Sequence, residues 1–122
     1  MAAIYVFLGG GLGSLCRYGL SVWFGNAGAK LPAATLIANI LACLILGFIA
    51  GVALRHTDNQ QLLLFGGVGF CGGFSTFSTF SLENFQLWEA GQYEALAFNV
   101  LLSVVVCFAS ILIGIRMSEF FA

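Results

Sequence analysis

The chain has 122 residues, of which 61% are hydrophobic and 7% charged, and its mean hydropathy is +1.04. A water-soluble domain typically carries about 25% charged residues to coat its outside, so a soluble fold is excluded and the bilayer is the solvent that fits. A formal net charge of −1, with no basic stripe, acidic tail or low-complexity tract, also argues against a nucleic-acid partner.

The composition predicts an all-α integral membrane protein, with residues 1–122 forming one transmembrane domain. A span needs about 20 mostly apolar residues, and the few charges mark the borders. The first span is expected over about 3–24. Met1 to Leu15 holds no charge, so this end lacks the basic region of a cleaved leader and reads as a span. The second is expected over about 32–54, between Lys30 and Arg55, with Pro32 suited to a first helical turn. The third, over about 61–87, contains the uncharged run between Asp58 and Glu83. The fourth, over about 95–117, lies between Glu94 and Arg116. The connections at Gly25 to Leu31, Arg55 to Gln60 and Glu89 to Glu94 are short, so consecutive spans run antiparallel.

Polar groups inside a span are costly and face protein or a pathway. In the first span, Gly9-Gly10-Gly11-Leu12-Gly13-Ser14-Leu15-Cys16-Arg17-Tyr18 offers small residues for close helix approach. Arg17 either snorkels to the interface or lines a vestibule that attracts anions. In the second span, the Asn39 amide must find partners; it ties helices together or donates to an anion.

The third span carries the most information. Gly66 to Gly73 is glycine-rich and poor for a continuous helix, so a break is expected near Gly72–Ser75. Backbone groups freed there must be buried in protein or line a cavity, and converging carbonyls would suit a cation. Downstream, Phe74, Phe77 and Phe80 recur every three residues, as do Ser75, Ser78 and Ser81, with Thr76 and Thr79 between them. Hydroxyls can donate to a desolvated anion, and the electropositive edge of a phenyl ring can face one. The alternative is that the rings face lipid and the hydroxyls bond their own helix. In the fourth span, Asn99, Ser103, Cys107 and Ser110 share one face, for interhelical bonding or for water.

The cysteines, Cys16, Cys43, Cys71 and Cys107, all lie in apolar stretches without a C-x-x-C pair; they read as small, polarisable packing residues rather than a metal or redox site. His56 reads as a solvated loop residue. No nucleophile–base pair, phosphate loop or metal-ligand cluster can be assembled, so an enzyme is not expected.

Lys and Arg usually mark the cytoplasmic side. Here Arg55 and Arg116 fall on one side, Arg17 and Lys30 on the other. This balance is either a weak bias or the sign of dual topology, with copies inserting both ways and pairing head to tail. A four-helix unit this small has little interior, and pairing would supply the missing walls.

Gly69-Phe70-Cys71-Gly72-Gly73-Phe74-Ser75-Thr76-Phe77-Ser78-Thr79-Phe80-Ser81 resembles the signature of the Fluc (CrcB) fluoride channels. The glycine-arginine stretch at 10–18 and Thr35-Leu36-Ile37-Ala38-Asn39 extend the resemblance across the chain. It implies a passive, fluoride-selective channel in a bacterial inner membrane, built as an antiparallel dual-topology homodimer of four-span subunits with two pores. By the same resemblance, Asn39, Phe77, Phe80, Ser78, Thr79 and Ser103 line the fluoride pore and Arg17 lies at the vestibule. The resemblance also implies that the backbone carbonyls of Gly72 and Ser75 would hold a structural sodium ion on the dimer axis. Cys43 and Ser75 depart from the residues common there, and Asn99 leaves its own role open. The rival reading is a proton-coupled exporter of the small multidrug-resistance type, but that class depends on a carboxylate in the first span, where this chain has Arg17 and no Asp or Glu.

Overall fold

The computed structural model describes residues 1–24 and 33–121; Lys30, Pro32 and the connection expected at Gly25 to Leu31 lie outside the described residues. The described residues form helices and short connections, with no strand among them. Helix α1 is Ala2–Phe24 and α2 is Ala33–Arg55. Helix α3 is built from Gln60–Leu62, a π-helical stretch Leu63–Cys71 and Gly72–Phe74. Helix α4 is Phe77–Glu89 and α5 is Tyr93–Phe121. Among the described residues, three stretches are long and apolar enough to cross a membrane: Ala33–Arg55, Gln60–Glu89 and Tyr93–Phe121.

The helices associate as two parallel pairs joined along one antiparallel seam. In the first pair, a Cβ added at Gly9 would run into backbone atoms of Phe65 and Phe70, and one at Gly13 into those of Phe70 and Phe74. Positions thus rise together along α1 and α3, with backbones touching where a side chain would hold them apart. In the second pair, Gly47 meets the backbone of Ile111 and Gly51 meets Ser118 and Ile115, so α2 and α5 also run parallel. Between the pairs, Ile49 lies over Gly66 and Leu46 near Gly67, while Asn39 reaches Thr76. Numbers fall on α2 as they rise on the third span, so α2 and α3 are antiparallel. Without a hydrophobic drive in lipid, contacts of this kind rest on close packing of small residues. Ala38, Ala42, Cys71 and Phe74 form the buried core where α2 and α3 meet.

At the end shared by α2 and α5, the Arg55 guanidinium donates to Ser118 Oγ at 2.9 Å and lies 3.6 Å from a Glu119 carboxylate oxygen. The opposite end turns through Gly91, whose φ of 73° is open to glycine at little cost.

The glycine run of the third span does not itself break the helix. The chain stays helical through Phe74, and only Ser75 (φ −76°, ψ 158°) and Thr76 (φ −152°, ψ 122°) are extended. In lipid a backbone group has no water to bond, so glycines that are poor helix formers in water still close helical bonds here. They do so in the wider π register, where the Gly72 amide reaches back to the carbonyl of Gly67. Such bulges concentrate at functional sites.

A candidate anion cavity at the helix break

The last four carbonyls of a helix and the first four amides of the next lack partners within their own helices, so a break at membrane depth must be accounted for group by group. The Cys71 carbonyl accepts from the Ser75 amide at 2.9 Å and from Ser75 Oγ at 2.8 Å. The Gly73 carbonyl accepts from Arg17 Nε at 3.2 Å, a cation placed at the negative end of the helix dipole. The Thr76 backbone is clamped on both sides by one amide: its N–H donates to Asn39 Oδ1 at 2.8 Å, and its carbonyl accepts from Asn39 Nδ2 at 3.3 Å. Thr76 then caps α4, its Oγ1 accepting the Thr79 amide at 3.1 Å, as N-cap threonines do.

This arrangement leaves particular groups over. The amides of Thr76 and Thr79 would close regular helical bonds onto the carbonyls of Gly72 and Ser75. Both are diverted to side chains, so those two carbonyls have no hydrogen-bond donor among the described residues. On the other side of the break, the first-turn amides of Phe77 and Ser78 have no acceptor among the described residues.

Beside the break lies a cavity of about 270 Å³. Asn39 from α2 and Ser103 from α5 supply its polar wall. Phe77 and Phe80, with ring centroids 5.8 Å apart, supply the aromatic one. Ser75 and Thr76 form its edge, and Cys43 and Cys107 close the side toward α2 and α5. The cavity is open, and Phe77 in its lining is 79% exposed in the single chain.

The sequence-predicted residues thus divide. Asn39, Phe77, Phe80 and Ser103 come together around this cavity, with Ser75 at its rim. Ser78 and Thr79 do not line it: the Ser78 hydroxyl sits 3.2 Å from Thr76 Oγ1, and Thr79 serves through its backbone. Arg17 lies on the far side of the break, bonded to Gly73. Gly72 and Ser75 share a second, smaller cavity of about 160 Å³ with Cys43 and Cys71. The phenylalanine row is split: Phe74 stays on α3, packs against Phe70 at 5.4 Å and joins the core, because two extended residues separate it from the helix that carries Phe77 and Phe80.

One residue and two pairings escaped the sequence reading, although interhelical bonding by Asn99 was one of its alternatives. Thr76 is the pivot of the break, and a threonine three residues before Thr79 at a helix start was the available signal. Thr35 Oγ1 donates to Glu83 Oε1, while Glu83 Oε2 is buried without a partner among the described residues. Asn99, 2% exposed, donates to Asn84 Oδ1 at 2.8 Å, so the last-span stripe begins with a tie between α4 and α5. Nothing in their sequence spacing joins Thr35 to Glu83 or Asn84 to Asn99.

Comparison with known proteins places these residues in a family. The profile of the CrcB-like protein, Camphor Resistance (CrcB), matches residues 4–115. A protein of Azobacteroides pseudotrichonymphae named fluoride-specific ion channel FluC is 38% identical over 118 residues, covering 95% of this chain and 94% of the relative. Proteins of the same name are 43% identical over 120 residues in Coxiella burnetii (94% and 95% covered) and 40% identical over 116 residues in Paracoccus denitrificans (95% and 93% covered).

Proposed function

The chain belongs to the CrcB-like family, and from that premise we propose that it is a fluoride-selective ion channel rather than an enzyme. It is a multi-pass membrane protein, at home in the inner membrane of a bacterium, and it lets accumulated fluoride leave the cytoplasm by passive conduction. The observation that carries this reading is the cavity at the helix break. It joins an amide, a hydroxyl and two phenyl rings: Asn39, Ser103, Phe77 and Phe80.

Fluoride is small and strongly hydrated, so passage needs substitute donors that bind it without trapping it. One hydrogen of Asn39 Nδ2 is engaged on Thr76; the second is available to an anion. Ser103 Oγ adds a hydroxyl donor and the ring edges of Phe77 and Phe80 add positive edge potential. The unpaired Phe77 and Ser78 amides at the start of α4 contribute the positive end of a helix dipole. Ser78 and Thr79 stand off the cavity wall in the single chain, and in this reading their hydroxyls join the same path on its α4 side, while Arg17, across the break, would draw anions toward the vestibule.

The working form in this reading is an antiparallel homodimer of four-span subunits with dual topology and two pores. Two features support it: the even split of Arg17 and Lys30 against Arg55 and Arg116, and the exposure of Phe77 in the cavity lining, which a second copy would cover. A sodium ion on the axis between subunits fits the donor set, because the Gly72 and Ser75 carbonyls are among those at the break left without hydrogen bonds. When bound, such an ion would offset anion repulsion and fasten the subunits together.

The test is fluoride efflux from liposomes holding the purified protein, followed with a fluoride electrode and with chloride efflux as control. Fast fluoride loss with chloride retained is expected. Intact dimers that release no fluoride would overturn the reading.

A further inference from the structure

Two of the residues that line the cavity are cysteines. Cys43 projects from α2 and Cys107 from α5, both half-buried and both free thiols. Their meeting follows from the packing one turn away. Gly47 and Ile111 lie four residues beyond Cys43 and Cys107 respectively, and there the two backbones touch because Gly47 has no side chain. Parallel helices drawn together at one turn keep the preceding turn in register, and the two side chains line the same cavity.

We propose that Cys43 and Cys107 form a two-sulfur binding site for a soft cation that accepts two ligands in a line, of which the mercuric ion is the type, and that its occupation obstructs the cavity. The obstruction rests on the fluoride-channel reading; the binding does not.

The chemistry of the surroundings selects the class of ion. No group of three or more histidine, cysteine or acidic side chains converges among the described residues, so zinc, which asks for four tetrahedral ligands, is not satisfied. Thiolates favour soft metals. Charge decides further: an apolar wall penalises any net charge left on it, and a divalent ion held by two thiolates is neutral. On binding, two S–H bonds break, two sulfur–metal bonds form, and two protons leave to water. No electron is transferred and no further reactant is needed. Cys71 stands apart from this pair: it lies on the core side of α3 and shares the smaller cavity with Cys43. Cys16 is exposed on α1.

The experiment adds mercuric chloride to the purified, detergent-solubilised protein and follows the ultraviolet sulfur-to-mercury charge-transfer absorption. Fluoride efflux from liposomes with and without the salt is measured in parallel, each variant being compared with its own untreated rate. One tight equivalent per chain is expected in the wild type and in Cys16→Ser. That equivalent should be lost in both Cys43→Ala and Cys107→Ser, and zinc chloride should give no effect. Efflux should fall by roughly tenfold in the wild type, as for an obstructed pore, and return on adding dithiothreitol. Equal binding in Cys107→Ser and the wild type, or loss of binding in Cys71→Ala with Cys107→Ser unaffected, would overturn the pair. Bidentate binding by a protein that conducts no fluoride would keep the site and remove the channel reading instead.

Discussion

The glycine seam between α1 and α3 and the break at Ser75–Thr76 lie within one turn of each other on the same span, and they handle the backbone in opposite ways. Along the seam the glycines stay helical and bring two backbones into contact. At the break the chain gives up helical bonds, and Asn39, Arg17 and Thr76 replace some of them with side-chain bonds. The seam is held by shape and contains no polar side chain to spare. The break is held by hydrogen bonds and leaves the Gly72, Phe74 and Ser75 carbonyls and the Phe77 and Ser78 amides over. A membrane protein obtains a polar site in this way: backbone groups are exposed only where neighbouring side chains fix which ones.

Changes at the break should therefore alter transport before stability, and changes in the seam should do the reverse. The largest effect is expected for Asn39→Asp. It sets a carboxylate oxygen against the Thr76 carbonyl and an anion beside an anion path, and fluoride efflux should fall by about a hundredfold, near 2.7 kcal/mol in barrier. Efflux close to the wild-type rate would detach the break from conduction. Next comes Gly13→Leu. Its side chain would meet the Phe70 backbone rather than a movable side chain, and overpacking of that kind costs about 3 kcal/mol. A fall in thermal stability in detergent would show it, with the remaining folded protein still conducting. Phe80→Ile keeps the bulk of the side chain and removes the ring edge, and efflux should fall about tenfold with stability little changed. Asn99→Ala removes the tie to Asn84 at about 1 kcal/mol of stability, sharpening how firmly α4 is held against α5. Smallest is Ser110→Ala. The Ser110 hydroxyl bonds the Val106 carbonyl of its own helix at 2.7 Å, so stability should change by less than about 0.5 kcal/mol.

The last helix shows how a legible pattern can still hide several roles. Asn99, Ser103, Cys107 and Ser110 share a face, as their spacing predicts, and that face is turned inward. Along it, Asn99 bonds another asparagine, Ser103 and Cys107 border the cavity, and Ser110 bonds its own backbone. Arg17 was open to either snorkelling or a vestibule place on sequence grounds; in the structure its side chain serves the Gly73 carbonyl.

What the sequence determined by itself follows from local chemistry. An apolar, nearly uncharged chain must be helical in a bilayer, because each helix satisfies its own backbone. The glycine, asparagine and phenylalanine-hydroxyl motifs mark where polar groups or close contacts occur on those helices. Only the tertiary structure decided which groups are consumed and which are left over. Asn39 and Thr76 are 37 residues apart, and Arg17 and Gly73 are 56 apart. Whether the amide of Thr76 closes a helix onto Gly72 or turns to Asn39 is settled by the antiparallel packing of α2 against the third span. No local preference carries that information, since a hydrogen bond between distant residues exists only after the helices have met.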